Sequence, residues 1–567
     1  MGWRGAFLGL AVCACGGGDP AGDGGDAGSG PTDAAAADAA PPALSRLLYR
    51  ADQDIDEVYE LYLASFTDDL LGTQKVYADV DGRWVRHFAW SSTGDHVSYG
   101  VSEAGGSSIE LWIVPVDGPT AGEPVRVALD LATSGESVVG SVHHVQWSPA
   151  GDRLAFLAEA ETDGVSQLFL VEPGAEESPT PLTSGDVADF AWSPDGSMLA
   201  YRVDTGDEDA RGLFMVAASG GEAAEVSDLP APGEIAEPSW PFVGYGWSPD
   251  GRYIHYGADQ DVDNAIDLYV AEVVDGVVSE AVRVSPLPPD SRTRVVEATW
   301  SPDGARLVFL VGRTADGPYM GPLYVVDFAG GGFDRRLVSG PIKAGLYSRW
   351  SPDSRWVAFH GIDEGPAELF AVDVTDPSAE PEQVNPPLPP DGEVSDGTSL
   401  CVSTGWSPSG PQLSYLAIQE VDELGAVYVS DLSSGSPAEP VKMSGEAVDR
   451  GGVACPLRWT PDGRTLAYVG DQVTDGVFEL FAVNADDPGA PSTVSGEMVF
   501  DGDVRDIMFQ TLDFAWSPAG DWIAYRADQD VNERIELYAA RRARPGESVR
   551  VSSLVELGDV IEHAWAP

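Results

Sequence analysis

Residues 190–201 read FAWSPDGSMLAY, and this stretch contains the pattern that decides the fold. Trp192 ends one apolar run, and Ser-Pro-Asp-Gly separates it from the next. Proline presets φ at the second position of a turn, and glycine accepts the positive φ that ends it. Leu199 and Tyr201 follow the tryptophan by seven and nine residues, which is the two-residue period of a strand. The stretch therefore predicts two antiparallel strands joined by a tight turn.

The same pattern recurs along the whole chain. A third segment of the type Glu-Leu-aromatic follows, as in Glu368–Phe370, and then a short fourth segment that ends in Val-Ser or a similar pair. Four short strands per repeat, without helices between them, are typical of a β-propeller blade. The residues predict an all-β fold with ten four-stranded repeats. The tryptophans that mark the repeats recur every 45 to 57 residues and are Trp90, Trp147, Trp192, Trp247, Trp300, Trp350, Trp406, Trp459, Trp516 and Trp565.

The first and last repeats are each incomplete. Leu47 and Tyr49 match a second strand and Glu60–Tyr62 a third, but no tryptophan precedes them, whereas Trp565 is followed by only two residues. We expect the C-terminal strand to complete the N-terminal blade, because closing the ring pairs edges that would otherwise be exposed. One ten-bladed ring and two five-bladed rings fit the count equally. A single ring is favoured because no linker interrupts the repeats.

The motif WSPDG, followed by LAY or LVF and then by ELY, resembles the propeller repeat of the TolB family, which belongs to the Tol–Pal envelope system. The resemblance covers roughly residues 45–567. TolB itself has a small extra domain and six blades, and this chain has too many repeats and no room for that domain. The resemblance therefore implies the fold, while function depends on sites.

The N-terminus resembles that of a bacterial lipoprotein. Residues 1–14 contain one cation, Arg4, and an apolar run too short to span a bilayer, which requires about 20 residues. The residues that end at Cys15 resemble a lipobox, which implies lipidation of Cys15. Residues 15–44 are rich in Gly, Ala and Asp and predict a flexible tether before the propeller of residues 45–567. An ordinary secretory signal is the alternative.

The residue after Cys15 is Gly16 rather than Asp, which resembles outer-membrane sorting. We expect an outer-membrane lipoprotein that faces the periplasm or the cell surface. The chain carries 32 Lys and Arg against 92 Asp and Glu, a formal net charge of −60. Such a surface repels phosphate backbones and anionic headgroups. The charge excludes nucleic acid as a partner and limits membrane contact to the N-terminal lipid.

The chain has no G-x-S-x-G nucleophile elbow, so a peptidase domain is not expected. His87, His144 and His563 precede tryptophans of different repeats by two or three residues. The equivalent places elsewhere hold other polar residues, which are Asp189, Glu297, Tyr347 and Asp513. The pattern predicts a mixed polar channel mouth rather than a metal centre, and it predicts no catalytic residue.

The tetrapeptide ADQD occurs three times between the second and third strands. Alternating oxygen ligands suit Ca²⁺, although the glycine and glutamate of an EF-hand loop are missing. Capping of a hairpin turn is the simpler interpretation, so no cofactor is predicted and Ca²⁺ is the open alternative. The candidate ligands are Asp52, Asp54, Asp56, Asp259, Asp261, Asp263, Asp528, Asp530 and Asn532.

Cys401 and Cys455 precede tryptophans of adjacent repeats, and an exported protein can oxidise them to a disulfide. Two free buried thiols are the alternative. Taken together, the sequence predicts a lipid-anchored, non-catalytic envelope propeller that binds a protein or a glycan. The alternatives are a propeller enzyme that acts on polysaccharide through His144, Glu297 and Asp513, and a Ca²⁺-stabilised structural surface protein.

Overall fold

The computed structural model describes residues 44–54, 58–77, 83–103, 106, 108–127, 141–159, 164–175, 179, 181–204, 211–227, 243–260, 265–285, 293–313, 320–328, 332–363, 365–389, 392–394, 404–419, 425–446, 448, 452–499, 502–504, 514–553 and 558–567. In these ranges the regular elements are β-strands. None of the described residues forms a helix with the length and apolarity needed to cross a bilayer.

The strands form ten small antiparallel sheets arranged in a ring, which confirms the predicted ten-bladed propeller. We number the blades 1 to 10 by the chain order of their second strands. The first strands of successive blades contact one another between blades 2 and 3 and from blade 7 through blade 10 to blade 1, so they form the inner wall of the ring there. From blade 1 to blade 10 the first strands are Val560–Trp565, Arg83–Trp90, Val142–Trp147, Asp186–Trp192, Tyr245–Trp247, Thr293–Trp300, Lys343–Ala344 with Arg349–Trp350, Glu393–Val394 with Thr404–Trp406, Val453–Trp459 and Phe514–Trp516.

The second and third strands form the middle of each blade. They alternate apolar and small residues and are buried along most of their length. The second strands are Ser45–Ala51, His96–Glu103, Leu154–Ala158, Met198–Asp204, Tyr253–Ala258, Arg306–Arg313, Trp356–Ile362, Gln412–Ile418, Thr465–Gly470 and Trp522–Ala527. The third strands are Glu60–Phe66, Glu110–Asp117, Gln167–Val171, Arg211–Ala217, Asp267–Val274, Leu323–Asp327, Glu368–Asp373, Ala426–Asp431, Glu479–Asn484 and Glu536–Arg541.

The fourth strands lie at the outer edge and are short in most blades. In blade 3 a single bridge between Phe169 and Pro181 takes this place. The others are Leu70–Tyr77, Thr120–Ala121 with Val125–Arg126, Ala224–Glu225, Val277–Val278 with Val282–Arg283, Asp334–Leu337, Glu382–Gln383, Val441–Lys442, Asp487–Thr493 and Ser548–Arg550.

The C-terminal strand completes blade 1, as the incomplete repeats predict. Val560–Trp565 pairs antiparallel with Ser45–Ala51, and Trp565 lies opposite Leu47. Trp565 also packs against Phe66 of the third strand, with the ring centroids 5.4 Å apart. The ring is therefore closed by a sheet that joins the two ends of the propeller.

The apolar core consists of ten clusters, and each cluster lies between two successive blades. Two five-bladed rings would require a break between blades 5 and 6. Instead Leu268 and Val270 of blade 5 pack with Val295 and Phe309 of blade 6. The propeller is one ten-bladed ring, and the alternative of two rings is wrong.

The ten repeat tryptophans form a closed circuit of hydrogen bonds. Eight indole N–H groups donate to the backbone carbonyl of the residue that precedes the tryptophan of the previous blade. Trp147 donates instead to the Ser98 hydroxyl at 3.0 Å, and Trp300 donates to His255 Nδ1 at 2.8 Å. An indole N–H that is buried needs such a partner. The repeat tryptophan thus joins neighbouring blades while its ring fills the core.

The turn after nine of the ten tryptophans begins with a hydroxyl side chain, which is a serine or, in blade 9, Thr460, and this hydroxyl fixes the turn. In blade 4 the Ser193 hydroxyl donates to Asp195 at 2.6 Å and accepts the Met198 N–H at 2.9 Å. Gly196 ends the turn with φ of 69°, as predicted. In WSPDS of blade 7 Ser354 takes that place with φ of 59°. The glycine is thus preferred but replaceable.

The aspartate of this turn takes either of two places. In blade 3, where WSPAGD has alanine at the Asp195 position, Ser148 donates at 2.7 Å to Asp152, two residues further on. Blades 2 and 10 make the same exchange with Asp95 and Asp521. In these three blades a carboxylate that accepts from the serine is therefore retained although its sequence position changes, whereas in blade 8 Ser407 bonds the Ser409 hydroxyl.

Candidate functional site

The polar residues predicted at the channel mouth lie three positions before their tryptophans, except His563, which lies two positions before Trp565. In blades 2, 4 and 6 a β-bulge immediately precedes this position and re-aims the side chain. After the bulge Asp189 lies opposite Arg202, and Glu297 lies opposite Leu310. The bulge therefore decides what each polar group can contact.

Asp189 binds groups in its own blade and in the next. Both of its oxygens accept hydrogen bonds at 3.0 Å from the Arg202 Nε–H, and Arg202 Nη2 forms a further, short ion pair with it. The Tyr245 hydroxyl of blade 5 donates to Asp189 at 2.8 Å. Burial, followed by the charge of Asp189, raises the pKa of Tyr245 well above its usual range. This buried triad ties blade 4 to blade 5.

Glu297 has the same role between blades 6 and 7. Its carboxylate accepts the Tyr347 N–H at 2.7 Å and the Ser348 hydroxyl at 2.8 Å. Burial raises the pKa of Glu297, and the two hydrogen bonds oppose that rise. Tyr347 has φ of 70°, which turns its N–H towards the carboxylate. Glu297 is thus occupied by structural donors.

The predicted histidines lie in the first strands of three different blades. Burial, and then the Arg50 charge, lowers the pKa of His87 to about 4. A Cβ at Gly100 would lie 2.3 Å from the His87 ring, so only glycine fits opposite it. His144 packs on Phe190 at 4.8 Å, and burial lowers its pKa. Both imidazoles are neutral at pH 7.

His563 lies opposite Tyr49 in the strand that closes the ring. Beside it Glu562 pairs with Arg50 at 3.1 Å, and Arg50 donates at 3.0 Å to the Val85 carbonyl of blade 2. Asp513 lies outside the described residues. In the described part of the chain, no group of three or more His, Cys, Asp or Glu is placed to hold a metal. Among the polar residues of the first strands, Asp189 and Glu297 accept hydrogen bonds from the next blade and so join successive blades.

The first aspartate of each ADQD motif is buried, at Asp52, Asp259 and Asp528. Asp52 and Asp528 accept the backbone N–H groups of Asp559 and Asp503, which precede the first strands of their own blades. These two bonds join the loop to the segment before the first strand. Asp528 also accepts the Glu533 N–H at 3.0 Å within its own turn, as the capping interpretation expects.

The second aspartates of two motifs are paired with cations of the protein. Asp54 contacts Lys75 at 2.8 Å, and Asp530 contacts Arg550 at 3.5 Å. Asn532 lies in the exposed turn that follows Asp530. The remaining candidates, Asp56, Asp261 and Asp263, lie outside the described residues. Ca²⁺ binding at these loops stays a prediction.

The glutamine of the motif has a role that the sequence analysis missed. In five blades a tyrosine hydroxyl donates to a glutamine four residues later, as from Tyr525 to Gln529 at 2.7 Å. Gln529 in turn accepts the Gly496 N–H of blade 9 at 3.0 Å. Gln53 accepts the Ser553 N–H of blade 10 in the same way, across the ring closure. The spacing Tyr-x-x-x-Gln was the available signal.

Cys455 lies in the first strand of blade 9 and is disulfide-bonded. Its predicted partner, Cys401, and the predicted lipidation site, Cys15, lie outside the described residues.

An open cleft of about 610 Å³ lies between blades 4 and 5, on the side of the ring where the tryptophan turns lie. Its walls include Asp195 and Met198 of blade 4 and Trp247 and Asp250 of blade 5. One side is formed by residues 273–276, the tip of the hairpin between the third and fourth strands of blade 5. No motif in the sequence pointed to this cleft, because it depends on how two blades meet.

The hairpin beside the cleft is unusually apolar. Val274 pairs with Val277 across the turn, and the two side chains are 55% and 70% exposed. Asp275 and Gly276 between them have φ of 50° and 76°, as expected for a two-residue hairpin turn. Two adjacent exposed valines at the tip of this hairpin lie beside a cleft lined by carboxylates.

No family model matches the chain, and no curated protein matches it. Among solved structures, a eukaryotic initiation factor is 14% identical with a TM-score of 0.46, over 79% of this chain and 94% of that one. The dipeptidyl peptidase 4 of Porphyromonas gingivalis is 13% identical with a TM-score of 0.44, over 84% and 60%. A prolyl endopeptidase is 16% identical with a TM-score of 0.34, over 71% and 55%. The chain therefore spans little more than half the length of the two peptidases, and at these identities a likeness concerns the fold alone.

Proposed function

We propose that this protein is a non-catalytic binding scaffold of the cell envelope, and that it holds a protein partner at the cleft between blades 4 and 5. The observation that carries the proposal is the exposed pair Val274 and Val277 beside that cleft. Rigid folds present binding residues on the loops that connect their strands. Aliphatic side chains that stay in water at a hairpin tip gain free energy when a partner covers them.

The charges around the cleft indicate the chemistry of the partner. Asp195, Asp250 and Asp275 line it. The Ser193 hydrogen bond, followed by the Ser197 backbone N–H, lowers the pKa of Asp195, so its carboxyl is ionised at neutral pH. The cation in the wall, Arg252, is engaged by Glu272 at 2.7 Å. The partner segment that fits combines an aliphatic residue with a Lys or Arg, and the net charge of −60 accelerates its approach.

The proposal includes attachment to the outer membrane through lipid on Cys15. Its support is the resemblance of the N-terminal sequence to a lipobox. Replacement of Cys15 by alanine, followed by detergent phase partitioning, tests it. We expect the natural protein in the detergent phase and the variant in the aqueous phase. Equal partitioning of the two would contradict lipid attachment at this residue.

Affinity capture from an envelope extract tests the binding function. Immobilised protein is compared with Val274→Ser/Val277→Ser and with a control, Val441→Ser/Val473→Ser, which changes exposed valines of other blades. We expect one envelope protein to be retained by the natural protein and by the control but lost from the cleft variant. Its affinity is then measured with purified components at low and high salt.

Two outcomes would contradict the proposal. Retention of the partner by all three proteins would place the binding surface elsewhere. Specific retention of a polysaccharide that the protein degrades would favour the enzyme alternative, and substitution of His144 or Glu297 would then abolish that activity.

A further inference from the structure

The ELY motif begins the third strand with a carboxylate that is buried or half-buried. Six blades have this acid at the first place of the strand, namely Glu60, Glu110, Asp267, Glu368, Glu479 and Glu536. Two residues further along, each third strand pairs with one residue of the fourth strand. The paired residues are Lys75, Arg126, Arg283, Gln383, Thr493 and Arg550. This fourth-strand position therefore decides how each carboxylate is neutralised.

In blades 1 and 10 the acid has a complete set of partners. Lys75 binds Glu60 at 2.6 Å, and the Tyr62 hydroxyl donates to Glu60 at 2.8 Å. In blade 10 Arg550 binds Glu536 at 3.3 Å, and Tyr538 donates to it at 3.3 Å. The same two cations also reach the loop carboxylates of the ADQD motifs. A positive charge thus stands between the strand acid and the loop acids.

Blades 2, 5 and 7 keep a donor at the same position. Arg126 binds Glu110 at 3.1 Å, and Arg283 binds Asp267 at 3.3 Å. In blade 7 Gln383 donates to Glu368 at 2.8 Å. Five of the six carboxylates are therefore satisfied from the fourth strand.

Blade 9 lacks both partners. Thr493 takes the place of the cation, and Phe481 takes the place of the tyrosine and brings no hydroxyl. Glu479 is only 8% exposed, and its Oε2 has no hydrogen-bond partner among the described residues. Blade 9 therefore differs from blades 1 and 10 at the two positions that satisfy the carboxylate in those blades.

A second carboxylate lies beside Glu479. Asp471, in the loop DQVTDG, is 3% exposed and accepts the Gly476 N–H at 2.8 Å through Oδ2. Its other oxygen, Oδ1, is buried and has no described partner. Burial, and then the charge of Asp471, raises the pKa of Glu479. Burial of two carboxyl groups, each with one oxygen that lacks a described hydrogen-bond partner, raises the free energy of the folded state unless a positive charge lies between them.

We propose that a divalent metal cation binds between Asp471 and Glu479 and takes the place that Lys75 and Arg550 occupy in their blades. Paired carboxylate oxygens are hard ligands, and Ca²⁺ accepts them in flexible arrangements completed by carbonyls and water. The site is distinct from the ADQD loops, where the protein supplies its own cations.

Calorimetric titration of the chelator-treated protein with CaCl2, and separately with MgCl2, tests the proposal. Glu479→Gln removes the charge and keeps the shape. Thr493→Arg restores the cation of blade 10. We expect both variants to bind one divalent ion fewer per chain than the natural protein, and chelation to lower their melting temperatures less. Glu368→Gln is the matched control and should bind the same number of ions as the natural protein.

Thr493→Arg keeps the test independent of any folding defect in Glu479→Gln, because it should raise the melting temperature of the chelated protein. Equal stoichiometry in the natural protein and both variants would overturn the proposal. The natural protein could instead bind neither ion at this site, and its melting temperature in chelator could rise on mild acidification. If replacement of Glu479 removed that rise, the two carboxyl groups would share a proton rather than a metal ion. That result would also overturn it.

Discussion

The indole N–H of Trp90 donates a hydrogen bond of 3.1 Å to the backbone carbonyl of Ala564, a residue 474 positions further along the chain. The next residue in the chain, Trp565, donates its indole N–H to the Ala515 carbonyl of blade 10 at 2.9 Å. The C-terminal strand is therefore bound to blades 2 and 10 by the same contact that joins the internal blades. The ring is therefore closed by the same tryptophan-to-carbonyl hydrogen bond that joins most of the other blades.

We predict that Trp90→Phe lowers stability by about 1 kcal/mol beyond the effect of the smaller ring, because the Ala564 carbonyl loses its donor. Trp112→Phe is the control, since the Trp112 N–H is buried and has no described partner. Thermal unfolding should separate the two variants by on the order of 1 °C in a chain of this size. Equal melting temperatures would mean that the bond does not contribute.

We predict that the aspartate of the turn in blade 3 can be moved to the position it has in blade 4 with little loss of stability. Asp152→Ala removes the acceptor of the Ser148 hydroxyl and should cost about 1 kcal/mol. Adding Ala150→Asp places the carboxylate where Asp195 stands in blade 4 and should restore most of that loss. Denaturant titration of the natural protein and of the single and double variants measures the recovery. A double variant no more stable than Asp152→Ala would contradict the exchange.

The buried triad between blades 4 and 5 should be sensitive to loss of its cation. Arg202→Met leaves Asp189 buried with the Tyr245 hydroxyl as its remaining described donor, and we expect a loss of about 3–5 kcal/mol. Tyr245→Phe removes one bond to a charged group and should cost about 1.5–3 kcal/mol. The double variant Asp189→Leu/Arg202→Met removes both charges and should recover most of the loss. Unfolding free energies from denaturant titration decide this.

Stability should depend on pH through Asp462. Partial burial disfavours its charge, but hydrogen bonds from Thr460 and from Arg542 of blade 10 outweigh this and hold its pKa at about 2. The folded pKa lies below the ordinary value of 3.8, so the contribution is present above pH 3.8 and is lost as the pH falls towards 2. Asp462→Asn should therefore melt below the natural protein at pH 6, with a smaller difference at pH 3, and approach it near pH 2.

The control for the pH experiment is Asp487→Asn, a change at an exposed aspartate of the same blade. It should follow the natural protein at every pH. A difference between Asp462→Asn and the natural protein that persists unchanged to pH 3 would show that the amide disturbs packing rather than charge.

The strands, the turns and the ring closure were predictable because each depends on residues near one another in sequence. The spacing of Leu199 and Tyr201 predicts a strand. Leu47 has no tryptophan before it and Trp565 has no second strand after it, and this predicts that the two ends form one blade. The single ring was only favoured at that level. The decisive contact, Leu268 with Val295, lies between blades and follows from packing.

The polar contacts could not be read from one strand. Asp189 could bind a ligand in the channel or a residue of the next blade. Which of these it does depends on the β-bulge before it and on Tyr245 of blade 5. The cleft depends in the same way on where the hairpin of Val274 meets the turn of blade 4. Such groups are brought together by the angle between blades, which leaves no local period in the sequence.

The pairing of Ser45–Ala51 with Val560–Trp565 also fixes when the molecule can become a ring. The strand that completes blade 1 is the last of the ring to leave the ribosome, and until then the first strand made presents a bare edge. Joining them closes a loop of about 500 residues, at an entropic cost on the order of 5 kcal/mol. An open repeat array can gain stability unit by unit as it is synthesised. The first blade of this protein is whole only once Val560–Trp565 has been translated, so the edge of Ser45–Ala51 stays unpaired while the blades between them are synthesised.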